Sequence, residues 1–548
     1  MANFIFRPAK TIQTAAVSLA ILLLTSRVLG LVRNRLLAGQ FGAGAELDVY
    51  NASFAVPDFI VDFLITGALT VSFIPVFTGL VVKRKADLAW KVAATIFNLS
   101  MAIFLGLALV LIFASPILAN ILFPGFTSDQ KSQVTFLMRL LLISELFLLA
   151  GSFLTSVLQS FRHFVIPALA PVVYNLGVIF GLILLAPKFG VTGVVFGVIA
   201  GAVAHFLLQL PLAISAGFYW RLNFNHNLTE VREIIKLSIP RAAGVIVANL
   251  QWIASLFLAS LLVSGSVAVF KFAFDLANFP IGLFGLTVAT AALPTLSTLA
   301  TQGKLGQFKA TTLQLLYQIF YLSIPVGVAI GVLRIPIVRL VLGAGLFDWQ
   351  DTVETAKTLS YFGLGVFAQA GILLTARAFY ALKDTTTPLA ISLVGFMFHL
   401  ILSFSLILLF RDVSYLGLSW ALAGVLSFLL QLVILNKKIN ILENFSAIVP
   451  FLKMVLASIA TGVVLYLPLH LKFEGQYVID RVIDTTRAAN LLLIVVAVTV
   501  VGAGFYLVVT YFLGLSQART IISFFRKFQF TSLVKLTEPI SPPDSASR

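Results

Sequence analysis

Cysteine is absent from all 548 residues, which excludes disulfides, thiolate metal sites and cysteine nucleophiles. Charge is scarce as well. Only 11% of residues are Asp, Glu, Lys or Arg, while 60% are hydrophobic and the mean hydropathy is +1.05, a balance that no water-soluble globular chain of this size sustains. No glycine-rich loop leads into Lys-Ser or Lys-Thr, and no His/Asp/Glu spacing recommends a metal site, so neither ATP use nor a resident cofactor is expected. The formal charge of +16 has no soluble basic domain to hold it. It therefore argues for membrane orientation, and nucleic acid is not an expected partner.

What the sequence has is repeated apolar runs, each long enough to cross a hydrocarbon core of about 30 Å, which takes about 20 helical residues. Barrel strands would be shorter and strictly alternating, so the expected class is an all-α polytopic membrane protein. Six runs fall in residues 1–222, six in 223–440 and two in 441–515, giving about fourteen spans, with a tail over 516–548. The first run follows Arg7 and Lys10, lacks a small-residue cleavage pattern and reads as a retained helix. Lys83 to Lys85, Arg162, Arg221, Arg232, Lys304, Lys309, Lys383, Lys437 and Lys438 all fall on the side of the N-terminus. By the positive-inside rule that side is cytoplasmic, and an even span number puts both termini there. In the tail, Ile521, Ile522, Phe524, Phe525 and Phe528 alternate with Arg519, Arg526 and Lys527. This pattern reads as a short interfacial helix before a Pro-containing end.

The two six-span blocks repeat each other. Arg27-x-x-Gly30 returns as Arg241-x-x-Gly244, Ile74-Pro75 as Leu293-Pro294, Pro167 as Pro388, and Phe206-Leu-Leu-Gln-Leu210 as Phe428 to Leu432, in order and at a nearly constant offset. An even number of spans per block makes the repeats parallel, the pattern of two pseudo-symmetric lobes around a central cavity that rock about a substrate. Pro57, Gly67 and Pro75 in the second span, and Pro280, Gly282, Gly285 and Pro294 in the eighth, loosen the helical ladder where bending is wanted.

Charges inside the spans mark the functional candidates, because each costs roughly 2.5 to 3.5 kcal/mol at bilayer depth unless it faces a wet interior. Arg27, Arg33, Arg35, Asp48, Asp58 and Asp62 cluster in the first two spans, and Arg241, Lys271 and Asp275 lie in the seventh and eighth. Arginine offers phosphate a planar fork of donors and keeps its charge in any setting. Arg27, Arg33, Arg35 and Arg241 are therefore the expected substrate-binding residues. Asp48, Asp58, Asp62, Lys271 and Asp275 are expected to balance charge or to couple an ion. Internal pairing is the competing reading, since Lys271 and Asp275 stand one helical turn apart. Glu145, Asn175, Asn249 and Gln369 read as helix-to-helix hydrogen bonders, and His205 and His399 as core groups.

These residues sit in a wider pattern. Ser26-Arg-Val-Leu-Gly30 with Val32-Arg33, Phe41-Gly-Ala-Gly44 with Asp48, Ser72-Phe-Ile-Pro75, Phe164 to Pro171 with Asn175, Ser264-Gly-Ser-Val267, Phe279-Pro280, Lys383-Asp384 and Thr387-Pro388 together resemble the MviN/MurJ family of lipid II flippases. That family lies within the multidrug/oligosaccharidyl-lipid/polysaccharide exporter superfamily. The resemblance implies fourteen helices, a cationic cavity between two lobes, and a last helix pair forming a groove for an undecaprenyl tail. It carries functional importance onto Arg27, Arg33 and Asp48. It also marks departures: Val61 and Asp62 stand where members commonly have an arginine pair, Thr66 where they have glutamate, and Asp275 where they have arginine.

The expected protein is then a non-enzymatic flippase of the bacterial inner membrane, a monomer whose partners are membrane lipids and a lipid-linked glycan, most simply lipid II, moved by alternating access. Two alternatives stay open. The missing arginines point to another polyprenyl-linked glycan, and Asp58, Asp62 and Asp275 point to ion-coupled export of small cationic compounds. A coupling cation of unknown identity belongs to either.

Overall fold

The computed structural model describes residues 12–65, 72–442, 445–470, 472–473, 476–477 and 488–523. Gly67, the loop carrying Glu474 and Asp484, and the tail from Phe524 onward lie outside these residues. Helices account for nearly everything described. In chain order they are α1 (Ile12–Phe41), α2 (Ala45–Ser53), α3 (Ala55–Leu64), α4 (Ile74–Val82), α5 (Ala86–Leu122), α6 (Ser128–Ser160), α7 (Val165–Phe180), α8 (Val191–Ser215), α9 (Thr229–Ser260) and α10 (Ser266–Pro280). There follow α11 (Thr287–Thr301), α12 (Leu305–Val332), α13 (Arg334–Val341), α14 (Trp349–Gly363), α15 (Val366–Ala381), α16 (Thr386–Phe410), α17 (Ser414–Ile439), α18 (Val449–His470) and α19 (Ala488–Phe512). A two-residue antiparallel pairing, Lys472 with Tyr477 and Phe473 with Gln476, follows α18.

Eleven helical stretches are long and apolar enough to cross a membrane, twelve when α14 and α15, bent by 44°, are taken as one span. The 30-residue α1 and the broken run α2–α4 are not among them, so the described residues show eleven or twelve spans, consistent with the expected fourteen without reaching that count. Helix starts follow local chemistry. Thr127 and Gln130 form a reciprocal capping box before α6, and Asp348 and Asp351 form another before α14. The proline- and glycine-bearing second helix of each block departs from α geometry: Ile65, Ser72 and Phe73 are π-helical, as is Ile281–Leu286.

The chain divides into two compact units, each discontinuous in sequence. Unit 1 is Met1–Phe279, Arg334–Gly365 and Lys383–Gln431; unit 2 is Pro280–Leu333, Val366–Leu382 and Leu432–Arg548. In unit 1, α8 packs on α6 and α7. Small residues allow that approach, because a Cβ on Gly177 would lie 2.3 Å from the Cα of Gly201. Two aromatic clusters fill the unit. In one, Phe77 has ring centroids 5.0 Å from Phe73 and 5.5 Å from Trp90; in the other, Phe362 lies 5.5 Å from Phe270 and 5.1 Å from Trp420. Such pairs add roughly 0.5 to 1.5 kcal/mol each beyond area burial. In unit 2, α12 packs against α15 and α18, and α18 against α19.

Candidate functional site

A cavity of about 170 Å³ lies within unit 1. Its charged and amide lining comes from five helices: Arg33 and Asn34 on α1, Asn51 on α2, Asp58 on α3, Glu145 on α6, and Lys271 and Asp275 on α10, with Tyr174 of α7 and Trp252 of α9 among the aromatics. Asp58 is deep among protein atoms and yet solvent-accessible, because it opens onto this space. Its carboxyl group comes within hydrogen-bonding reach of Glu145, which is 2% exposed.

The two cations of the cavity are held differently. Lys271 Nζ donates to both oxygens of Asp275, at 2.5 and 2.6 Å, and lies 5.9 Å from the ring centroid of Trp252. That pair neutralises itself, as helical spacing suggested. Arg33 instead donates only to amides: Nε and Nη2 to Asn34 Oδ1 at 3.2 and 3.0 Å, and Nη1 to Asn175 Oδ1 at 3.3 Å. Asn175 is fixed in turn by donating to the Pro171 carbonyl at 3.0 Å. Among the described residues no carboxylate comes within ion-pair distance of Arg33. An amide orients a guanidinium without cancelling its charge, so Arg33 remains a cation available to an anion.

Other expected site residues lie elsewhere. Arg35, expected to bind substrate, is not in the cavity lining; its Nη1 donates to the Leu340 carbonyl on α13 at 2.6 Å. Arg27 is exposed on α1, and Asp62 is exposed on α3; neither lines the cavity. Arg241 is on α9, and its side chain lies outside the described residues.

Asp48, expected among the cavity charges, is 2% exposed and accepts hydrogen bonds from the backbone N–H groups of Gly265 (2.6 Å) and Ala268 (2.8 Å) at the start of α10. It caps a helix from a distant part of the chain, where the helix dipole favours negative charge. The same turn after α1 is tied again. Leu346 N donates to the Gly39 carbonyl at 2.8 Å, and Ala43 N donates to Asp351 Oδ2 at 2.9 Å. Gly265 (φ +94°) and Gly345 (φ +51°) make this seam possible, since a Cβ on them would lie 1.9 Å from the Ala43 oxygen and 2.1 Å from the Gly39 oxygen. The seam explains why Phe41-Gly-Ala-Gly44 and Ser264-Gly-Ser-Val267 carry glycines.

Sequence reasoning overlooked Asn34 and gave Glu145 only a structural part. A polar residue beside an intramembrane arginine was the available signal. Among the described residues no group of three or more His, Asp or Glu has metal-holding geometry. His399 is a core group, with Nε2 2.9 Å from Ser255 Oγ and Nδ1 3.2 Å from Ser419 Oγ.

Unit 2 holds a second space of about 380 Å³, lined by apolar residues of α12, α18 and α19, including Pro325, Ala329, Leu465, Ala503 and Leu507. Its few hydroxyls include Tyr321, whose OH is 2.8 Å from Thr510 Oγ1.

A helical membrane protein with broken second helices in each repeat and a charged internal cavity belongs to the transporters in class. A solved inward-facing multidrug MATE transporter of the MOP superfamily has this fold, with a TM-score of 0.61 at 13% identity over 79% of this chain and 99% of that one. The solved lipid II flippase MurJ in an inward closed conformation matches with a TM-score of 0.73 at 23% identity, covering 89% of this chain and 98% of that one. A family model described as lipid II flippase MurJ matches residues 37–485, and the chain belongs to that family. The probable lipid II flippase MurJ of Haemophilus influenzae is 28% identical over 464 residues, spanning 80% of this chain and 89% of that protein. The corresponding Synechocystis protein is 25% identical over 450 residues, spanning 79% and 83%.

Proposed function

We propose that this chain moves a polyprenyl-pyrophosphate-linked peptidoglycan precursor, lipid II, from the inner to the outer leaflet of the bacterial cytoplasmic membrane by alternating access, without making or breaking covalent bonds. Family membership supplies the class of cargo, and one observation carries the chemistry: Arg33 faces the unit 1 cavity and, among the described residues, no carboxylate lies at ion-pair distance from it. Three of its five N–H donors are used by asparagines, which leaves one on each terminal nitrogen for phosphate oxygens.

The cavity is below the roughly 300 to 1,000 Å³ of ordinary ligand pockets. It has room for a pyrophosphate and none for the attached sugar-peptide, so the two repeats must part to load cargo. The seam joining the turn after α1 to residues 265–268 and 346–351 is the closure on the outer side, with basic loops and both termini facing the cytoplasm. Its release exposes the cavity outward. The apolar space between α12, α18 and α19 accommodates the polyprenyl tail. Asp58 and Asp275 balance charge when the cavity is empty or hold a coupling cation.

A second reading has its own support. Asp58, Glu145 and Asp275 give the cavity more acids than bases, as an ion-coupled exporter of small cations would need. Depleting a bacterium of its own lipid II flippase and supplying this chain separates the two. Restored growth and wall synthesis is the expected result, whereas raised drug tolerance without restored growth would select the cation exporter.

A further inference from the structure

Asn34 is 7% exposed and stands between the free cation of the cavity and its ion pair. Its Oδ1 accepts from Arg33 Nε and Nη2, and its Nδ2 donates to Asp275 Oδ2 at 3.1 Å, the carboxylate that already holds Lys271. One neutral amide thus faces a guanidinium with its oxygen and a carboxylate with its nitrogen. No other residue type of that size satisfies both neighbours without adding charge. Aspartate has the same shape but would neutralise Arg33 with a paired hydrogen bond and set a second carboxylate against Asp275. An aliphatic residue would take away the acceptor that holds two of the half-buried Arg33 donors.

We propose that Asn34 is a positioning residue for anion binding, an amide spacer that orients Arg33 toward the cavity and keeps it from pairing with Asp275. This rests on the reading of Arg33 as the pyrophosphate-binding cation, and it adds what keeps that cation available. Asn34 itself touches no substrate. The spacer also accounts for Arg33 and Asp275 coexisting near one cavity while only Lys271 is paired off.

The test is calorimetric titration of the purified full chain with inorganic pyrophosphate, with thermal melting of each variant in parallel. Asn34→Asp should weaken binding by about tenfold or more, the size of one charge-assisted hydrogen bond. Asn34→Ser is too short to hold both neighbours and lets Arg33 turn toward Asp275, so it should weaken binding by about threefold to tenfold, a loss that Asp275→Asn relieves by removing the competing carboxylate. In an Asp275→Asn background, Asn34→Asp should cost the same factor, because the loss arises at Arg33. If Asn34 merely bridges two helices, the damage from Asn34→Asp comes from repulsion by Asp275 and disappears in that background. Such a rescue of Asn34→Asp would overturn the proposal, as would wild-type binding by Asn34→Ser, or no pyrophosphate binding by the wild-type chain. Should Asn34→Asp fail to fold, Asn34→Ser still decides: wild-type binding by the folded variant contradicts the spacer role. Pyrophosphate binding that depends on residue 34, in a chain that cannot replace a lipid II flippase, would keep the inference and reject the lipid II reading.

Discussion

The two internal spaces of this protein differ in size and in chemistry. That of unit 1 is about 170 Å³ and lined by two cations, three acids and two amides, whereas that of unit 2 is about 380 Å³ and almost wholly apolar. A small polar chamber in which one arginine is held without neutralisation suits a compact anion. A larger apolar groove offers only contact area, worth about 25 cal/mol per Å² buried, and suits a hydrocarbon chain. An amphiphile with a pyrophosphate between tail and glycan meets both demands, whereas a small soluble cation needs only the first space, with its charges reversed.

The sharpest way to break the contrast is to remove the charge that defines the polar chamber. Arg33→Ala should lower lipid II retention, read by native mass spectrometry, by about thirtyfold or more, since truncating one partner of a buried charge-assisted contact costs about 2 to 5 kcal/mol. Next comes the seam proposed to close the chamber. Asp48→Ala removes the cap on α10, a loss of about 1 to 2 kcal/mol. The chain has no native cysteine, so Leu148→Cys, which lines the cavity, supplies a lone thiol. Asp48→Ala should raise its labelling by a water-soluble maleimide about tenfold, and an unchanged rate would deny the seam its role in closure.

The groove is tested by filling it. Gly504 lines this space and a Cβ on it meets no atom within 4 Å, so Gly504→Leu starts its side chain in open room. Lipid II retention should drop by about fivefold, about 1 kcal/mol, while binding of inorganic pyrophosphate stays at the wild-type level. Loss of both would mean the two spaces do not divide the ligand as described. The smallest effect is expected far from either space. Lys357 donates to Asp412 in the turn between α16 and α17. Partial burial works to raise the Asp412 carboxyl, but hydrogen bonds from Lys357 and Ser414 outweigh it and hold the group below the usual carboxylate range. A depressed folded value adds stability above the unfolded pKa of about 3.9 and loses it as pH falls through the folded one. Asp412→Asn should therefore lower the melting free energy by about 0.5 kcal/mol at neutral pH, and by less at pH 3.

Much of the fold was legible because a bilayer imposes long apolar runs that can be counted. The π segments at residues 72–73 and 281–286 fall where proline and glycine had marked loosened helix. Lys271 with Asp275 was legible too, since helical spacing alone makes them neighbours. Partners on other helices were not. Asp48 meets Gly265 across 217 positions of sequence, and Arg35 meets Leu340 across 305. A charge in a span announces only that it needs a partner or a wet surface. A backbone N–H at a helix start satisfies that need as well as a substrate does, and such donors leave no residue type behind in the sequence. Asn34 went unnoticed for the same reason: its importance comes from facing Arg33 and Asp275 at once.

Transport of a fluorescent lipid II in proteoliposomes, comparing the wild-type chain with Arg33→Glu, addresses the central claim most directly. Wild type should carry the label across the bilayer, and the charge-reversed protein, reconstituted and folded to the same extent, should carry none. Equal transport by the two would contradict a mechanism in which the uncancelled guanidinium of Arg33 holds the pyrophosphate.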